Sequence, residues 1–448
     1  MITKFKSLQK NQGFIKYSKN ISWLFFERIL RITVGLFVSV WVAKYLGPKQ
    51  FGFFSYTLSF VGLFAFIATI SHNSIVVREL VKNPNLNDEI VSTAFWLRIM
   101  GAMLGVLITL AISINLTSNN RFVNILILII ASSTIFQSFN VVDDYFQSKV
   151  MNKFVVITNV ISLFLSSVIK IILILNDAPL IAFVWVVFFD NFILASGFIY
   201  FYIKLNSKFK IKNLKFKSKT AILLLKDSWP LMISSAAIMI HIKVDQVIIK
   251  EILGLEAVGQ YAAAAKVSEA WYFIPSVLTA SFFPAIINAK KNNEDLYNSR
   301  LQKLYDIMVW IAIAIAIPMI FLSDWLIEIL YGYQYSEAGN VLMIHIWAGV
   351  FVSLGLASNR WLICENLQKF LIVNTFIATI TNIGLNYILI PKFGIVGAAW
   401  ATIISYFLVG YLCLLIWKKT RINFINLTKS LFFITLFKEK YRWNIKEI

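Results

Sequence analysis

Seven basic side chains fall inside long apolar stretches of this 448-residue chain: Arg28, Arg31, Arg98, Lys170, Lys243, Lys266 and Arg360. The acids that accompany them there are fewer, chiefly Glu27, Asp190, Asp245 and Glu269. A charge at bilayer depth costs from about 2.5 to above 10 kcal/mol, so such groups are kept where they face a cavity, a partner or a ligand of opposite sign. The chemistry they suit is non-covalent neutralisation of an anion. Nucleophilic and metal chemistry find no footing. Cys364 and Cys413 lie in different stretches, and His72, His241 and His345 are scattered. No cofactor is expected, and nothing matches the phosphate loop G-x-x-x-x-G-K-[ST].

Spacing sorts these residues. Arg28 and Arg31 are three apart and share one helix face, about 10–15 Å into the first span. Glu27 stands four before Arg31, so a Glu27–Arg31 staple competes with ligand contact. Lys243 sits near the middle of the seventh span and is expected to reach a cavity. Asp245, two residues on, points to another sector and is left between a coupling-ion role and a helix-to-helix ion pair. Lys266 and Glu269 are three apart and either pair directly or serve the cavity. Lys170 has no obvious local partner, and Asp190 is an isolated acid for which ion coupling is open. Arg98 and Arg360 lie within two turns of the inner surface, where they snorkel or receive an anion at the cytoplasmic mouth.

The elements that hold these groups must be membrane helices. The chain is 59% hydrophobic and 14% charged, with mean hydropathy +0.74. Apolar runs of about 20 residues recur throughout, each long enough to cross roughly 30 Å of hydrocarbon. In lipid a spanning backbone must satisfy its own hydrogen bonds, so the runs read as helices. Twelve are expected: 21–45, 51–72, 91–114, 122–143, 154–175, 179–203, 229–250, 256–287, 305–323, 340–364, 370–391 and 394–417. Pro275 and Pro284 should kink the eighth. Residues 427–437 are too few to span and are expected on the membrane surface. No cleavable signal peptide is evident, since the first span carries Glu27, Arg28 and Arg31.

Charge orients the bundle. With both termini cytoplasmic, the inner segments carry 30 lysines and arginines and the outer loops five. That asymmetry is a strong positive-inside signal. The net charge of +20 then reflects a belt facing anionic lipid headgroups, and nucleic acid is not needed to explain it.

The chain also repeats itself. Leu46-Gly47-Pro48-Lys49-Gln50-Phe51-Gly52 follows the first span, and Leu253-Gly254-Leu255-Glu256-Ala257-Val258-Gly259 follows the seventh, 207 residues later. Asn152-Lys153-Phe154 and Gln368-Lys369-Phe370 echo each other 216 residues apart. Six spans per copy make a parallel repeat, the plan of transporters that move two lobes about a central site. The expected fold is an all-α polytopic membrane protein of about twelve transmembrane helices in two six-helix lobes around a central cationic cavity. Its domains are an N-terminal lobe (1–203), a basic cytoplasmic linker (204–228), a C-terminal lobe (229–417) and a basic cytoplasmic tail (418–448).

ERILRITVGLFVSVWVAKYLGPKQFGFFSYTLSF (27–60), VDQVIIKEILGLEAVGQYAAAAKVSEAWYFIPSVLTASFFPAI (244–286) and FGIVGAAWATIISY (393–406) resemble the polysaccharide repeat-unit flippases. That family belongs to a superfamily with the multidrug and toxic-compound extrusion transporters and the lipid II flippase. The resemblance implies a V-shaped pair of bundles in the bacterial inner (plasma) membrane. It also implies outward export of an undecaprenyl-diphosphate-linked oligosaccharide by alternating access, for O-antigen or other surface polysaccharide synthesis. On this reading Arg28, Arg31, Lys243, Lys170 and Lys266 take the diphosphate, and Arg98 and Arg360 serve cytoplasmic uptake. Asp245, Glu269 and Asp190 are candidates for coupling to H+ or Na+. The chain ends about thirty residues after span twelve, whereas longer relatives carry a further helix pair. A multidrug antiporter of the same fold is the main alternative, but lysines in the cavity would repel an organic cation. A glycan polymerase or ligase would need a larger outer loop than the sixteen or so residues near 324–339.

Overall fold

The computed structural model describes residues 12–116, 120–205 and 215–437, and every regular element among them is helical. Helix α1 (Gln12–Ala68) is followed by α2 (Asn73–Lys82), α3 (Asn87–Leu116) and α4 (Arg121–Ser133). A 3-10 stretch, Thr134–Asn140, leads into α5 (Val141–Ser148), then α6 (Asn152–Leu175) and α7 (Leu180–Leu205). Next come α8 (Ser218–Leu253), α9 (Leu255–Ala270), α10 (Phe273–Asn292), α11 (Glu294–Tyr331), α12 (Ser336–His345) and α13 (Ala348–Cys364). The last are α14 (Gln368–Phe393), α15 (Ile395–Phe407), a π turn at Leu408–Leu412, α16 (Cys413–Ile416) and α17 (Arg421–Leu431).

Among the described residues ten helical runs are long and apolar enough to cross a membrane, and α12 with α13, bent by 43°, makes an eleventh. The first run, Ser22–Lys82, contains two of the expected spans. Each of the twelve segments read from the sequence lies on a helix. Large apolar side chains such as Leu107, Phe164 and Phe321 face outward, which suits lipid as the solvent.

Two of the breaks set by glycine are related by the repeat. In α1, Gly47 adopts φ 73° and ψ 168°, a conformation that is costly for any residue with a Cβ. Pro48 then starts the next helical stretch, where its missing N–H is no loss. Gly254, 207 residues on, has φ 91° and separates α8 from α9 in the same way.

Span eight is broken as Pro275 leads one to expect, whereas Pro284 is not a break. Its break lies at Trp271–Tyr272, just ahead of Pro275, and Pro284 is carried inside α10. In an unbroken helix the Pro275 ring would meet the Trp271 carbonyl, so the helix restarts with proline in its first turn.

The chain divides into two compact units, Met1–Leu46 with Phe53–Met239, and Gly47–Gly52 with Ile240–Ile448. The boundary falls within α8 at Ile240, against the expected start of the second lobe at residue 229 after a basic cytoplasmic linker. The N-terminal part of α8 and the residues just before it are fastened to the first unit. Arg78 pairs with Asp227, Thr220 donates to Glu89, the His72 amide donates to Ser228 Oγ at 3.0 Å, and Ser92 Oγ donates to the Lys215 carbonyl at 2.9 Å. Residues 206–214 of that linker and 438–448 of the tail lie outside the described residues.

Residues 427–437, expected on the membrane surface, include the end of a helix that is packed on one face. Helix α17 buries Asn423, Leu427 and Ser430 against the second unit, and Leu427 joins its apolar core. Asn423 donates to Ser358 Oγ (2.8 Å) and accepts from the Tyr305 hydroxyl (2.5 Å). Ser430 donates to the buried Asp306 carboxylate at 2.6 Å. Too short to span, the segment docks through a polar face that a hydropathy scan does not register.

Candidate functional site

In the first unit, α1 presents Arg28 and Arg31 from neighbouring turns. Arg31 Nε donates to Glu27 Oε1 at 2.6 Å, so the staple forms, and the Arg31 side chain stays 40% exposed beyond it. Arg28 is exposed, with no ion pair among the described residues. Between the two, Arg28 is the cation left open to a ligand.

Arg98 is corrected. Its side chain is buried, and its guanidinium donates to Asp144 Oδ2 (2.5 Å), the Ser71 carbonyl (3.0 Å), Ser71 Oγ (3.1 Å) and Asn73 Oδ1 (3.1 Å). It neither snorkels nor receives an anion. It ties α3 to α5 and to the turn after α1, and burial at this depth is tolerated because both charge and donors are satisfied. The Asp143-Asp144 pair near the end of the fourth span is the sequence signal that could have named its partner.

Lys170 and Asp190, read as separate residues, are brought within electrostatic reach of each other on α6 and α7. Asp190 Oδ1 also accepts from Ser162 Oγ at 2.5 Å. Both residues are thereby drawn into a local network. Arg360, in the second unit, lies half-buried over the Phe283 ring at 4.9 Å, a cation–π contact that anchors it without neutralising it.

The densest polar cluster of the second unit surrounds Asp245. Its carboxylate is 4% exposed and forms no ion pair among the described residues. Oδ1 accepts from Asn386 Nδ2 at 2.7 Å, and Oδ2 accepts from Tyr261 (2.8 Å) and lies 2.7 Å from Thr402 Oγ1. Four helices, α8, α9, α14 and α15, therefore meet at one acid. The Asn386 amide also approaches Asn382 Oδ1 (3.2 Å) and the Asn382 carbonyl (2.9 Å), while Asn386 Oδ1 is buried without a partner. Thr402 has one hydroxyl proton but two acceptors, Asp245 and the Ala398 carbonyl at 3.0 Å.

Oxygens here outnumber the protons available to them. A buried carboxylate among neutral oxygens, one of them orphaned, can accept a proton or a small monovalent cation. Among the described residues no group of three His, Cys, Asp or Glu side chains stands ready for a metal ion. Asn382 and Asn386, four apart on one face of an apolar helix, were the legible sign of this cluster, and the sequence reading passed over them.

Lys243, Lys266 and Glu269 lie in this unit too, the acid within electrostatic reach of both lysines. Lys266 and Glu269 are exposed and Lys243 is partly so. Glu269 stands in the field of both lysines and of Asp245. Lys243 precedes Asp245 by two residues and points elsewhere, as helical geometry requires.

A family model described as polysaccharide biosynthesis protein matches residues 17–290. A probable low-salt glycan biosynthesis flippase of Haloferax volcanii is 28% identical over 166 residues, which cover 36% of this chain and 34% of that one. A putative O-antigen transporter of Shigella dysenteriae is 25% identical over 276 residues, 61% of this chain and 67% of its own length. The chain thus spans only a third to two thirds of these relatives. Among solved structures, the lipid II flippase MurJ in an inward closed conformation superposes with a TM-score of 0.64 at 19% identity, covering 95% of this chain and 93% of that one. An inward-facing multidrug transporter of the MOP superfamily gives 0.67 at 12% identity, over 89% and 95% of the two chains. At such identities the likeness shows the fold alone.

Proposed function

The chain belongs to the polysaccharide biosynthesis protein family, and from that premise we propose that it is a flippase for an undecaprenyl-diphosphate-linked oligosaccharide repeat unit. It carries the unit from the cytoplasmic to the opposite leaflet of the plasma membrane by alternating access, with its lysine-rich loops and both termini in the cytoplasm. The observation that supports this reading is that Arg28 and Lys243, both on apolar helices, form no salt bridge among the described residues and keep some exposure.

The substrate poses a solvation problem. A polyprenyl tail can stay in lipid, but an unpaired diphosphate in hydrocarbon costs tens of kcal/mol by Born estimates. Arg28 and Arg31 of the first unit, and Lys243 and Lys266 of the second, replace its hydration with fixed positive charge. Lys170, drawn to Asp190, contributes less. Arg360 is the remaining candidate for cytoplasmic uptake, through the face of its guanidinium not stacked on Phe283.

Energy comes from the membrane. A potential negative inside favours outward movement of an anion by about 2.3 kcal/mol per charge per 100 mV, roughly 4–5 kcal/mol for a diphosphate. Asp245 adds coupling to H+ or Na+: the ion neutralises the buried carboxylate and draws the orphaned Asn386 oxygen and Thr402 toward it. Glu269, between the lysines and Asp245, and Asp190 in the first unit are secondary coupling candidates.

Translocation of a fluorescent undecaprenyl-diphosphate saccharide in proteoliposomes tests the reading. Wild-type protein is expected to transport it, and Arg28→Ala and Lys243→Ala to transport much less. Undiminished transport by both variants would remove the headgroup assignment. Movement of organic cations in place of the glycolipid would overturn the flippase assignment.

A further inference from the structure

The two copies of the Leu-Gly repeat meet each other. A Cβ at Gly52 would overlap the Leu255 carbonyl, and a Cβ at Gly259 would overlap the Pro48 carbonyl. Adding 207 turns Pro48 into Leu255 and Gly52 into Gly259, so the contact is reciprocal: each copy offers its glycine to the other's first helical carbonyl. This is the self-complementary geometry of a two-fold interface, here formed within one chain. Both segments begin directly after a glycine with positive φ, Gly47 at 73° and Gly254 at 91°.

The contact is close but lightly held. In each helix the carbonyl in question is already the natural acceptor of the N–H four residues on, so the crossing rests on Cα–H···O approaches and dispersion. Parting it leaves both carbonyls with their own intrahelical partners. Two helix N-termini also face each other there, and their like-signed dipole ends do not favour the union.

The halves are anchored unequally. Gln260 Nε2 donates to the Gln334 carbonyl at 2.9 Å, and its Oε1 accepts from the Ala338 amide at 3.2 Å. The repeat counterpart of Gln260 is Phe53, which can make neither bond. The first copy touches the same turn through the Phe51 ring, edge-on to Tyr335 at 6.3 Å. Yet Gly47–Gly52 packs with the second unit, although the helical stretches on either side of it belong to the first.

We propose, resting on the transport reading above, that the reciprocal Gly52–Leu255 and Gly259–Pro48 contact is a separable latch, with the Leu255–Gly259 half fixed and the Gly47–Gly52 half released once per cycle. Glycine is required at both positions because the latch must close backbone to backbone.

Spin labels at Lys49→Cys and Glu256→Cys, both exposed positions, report the latch in a Cys364→Ser, Cys413→Ser background in nanodiscs. The expected result is a short distance that dominates at rest, with a minor long-distance population of roughly 1–10%. The long population should grow on adding undecaprenyl diphosphate. Gly52→Ala should make the long distance predominate without ligand. If that variant fails to fold, the glycine-intact pair still decides. One unchanging short distance, with and without undecaprenyl diphosphate, would make the crossing a static packing contact and overturn the latch. A cleavable bis-maleimide joining the same two cysteines should stop glycolipid translocation, and cleavage should restore it. Full transport in the cross-linked protein would overturn the latch as well. A protein that moves no glycolipid in any form, yet exchanges between the two distances, would instead refute the flippase reading and leave the latch standing.

Discussion

Asn386 donates to Asp245 Oδ1 across 2.7 Å while its own amide oxygen lies buried without a partner. An amide used from one side only marks a place prepared for something more. Asp245→Asn should keep the fold, because an amide carbonyl can still accept from Tyr261 and Thr402. Stimulation of transport by a pH or Na+ gradient should vanish. Gradient-driven flux in proteoliposomes beside the thermal unfolding midpoint measures both; gradient dependence that survives the change would eliminate Asp245 as the coupling group.

Removing one member of the buried Arg98–Asp144 pair should be costly. Arg98→Ala leaves a carboxylate at 2% exposure with no counter-charge, and a loss of about 3–5 kcal/mol is expected. Arg98→Met combined with Asp144→Leu should recover much of it. Chemical denaturation in detergent compares the three proteins, and a double variant no better than the single would argue against charge as the cause.

Lys243 should behave in the opposite manner. It is only half-buried, and its replacement by alanine should shift stability by no more than about 0.5 kcal/mol while transport falls sharply. Lys243→Arg should retain transport, since either cation can meet a diphosphate. Initial rates of glycolipid translocation distinguish the two, and equal loss in both would point to shape as the requirement.

Ser430→Ala should loosen α17. The change withdraws the 2.6 Å hydrogen bond from the buried Asp306 and is expected to cost about 1–3 kcal/mol. Hydrogen exchange should quicken across residues 421–431 and leave α14 unchanged. Uniform protection in the variant would show that Leu427 and its apolar neighbours suffice to hold the helix.

Most of the architecture was legible because lipid imposes simple rules. Apolar length locates the helices, lysine asymmetry suggests their sense, and Gly47 and Gly254 betray the repeat. Interior partners were harder to read, because a pair such as Lys170 and Asp190, on neighbouring helices, has no short-range spacing to reveal it. Arg98 misled for a related reason: its distance from the helix end suited snorkelling, and only tertiary packing shows the depth of its burial. The neutral oxygens around Asp245 were missed because Asn, Thr and Tyr carry no charge to draw notice in an apolar span. Docking of α17 was hidden in the same way, its buried face being Asn423 and Ser430 as much as Leu427.

Arg98 and Asp144 are 46 residues apart. At a synthesis rate of about 5–20 residues per second, the arginine leaves the ribosome roughly 2–9 s before its partner exists. For those seconds α3 holds an uncompensated charge, and the headgroup layer is where an arginine can wait. Final seating of the third span therefore depends on translation of the fourth. A ribosome stalled between the two would leave the nascent chain with a span only partly inserted, exposed to the cell's quality-control proteases.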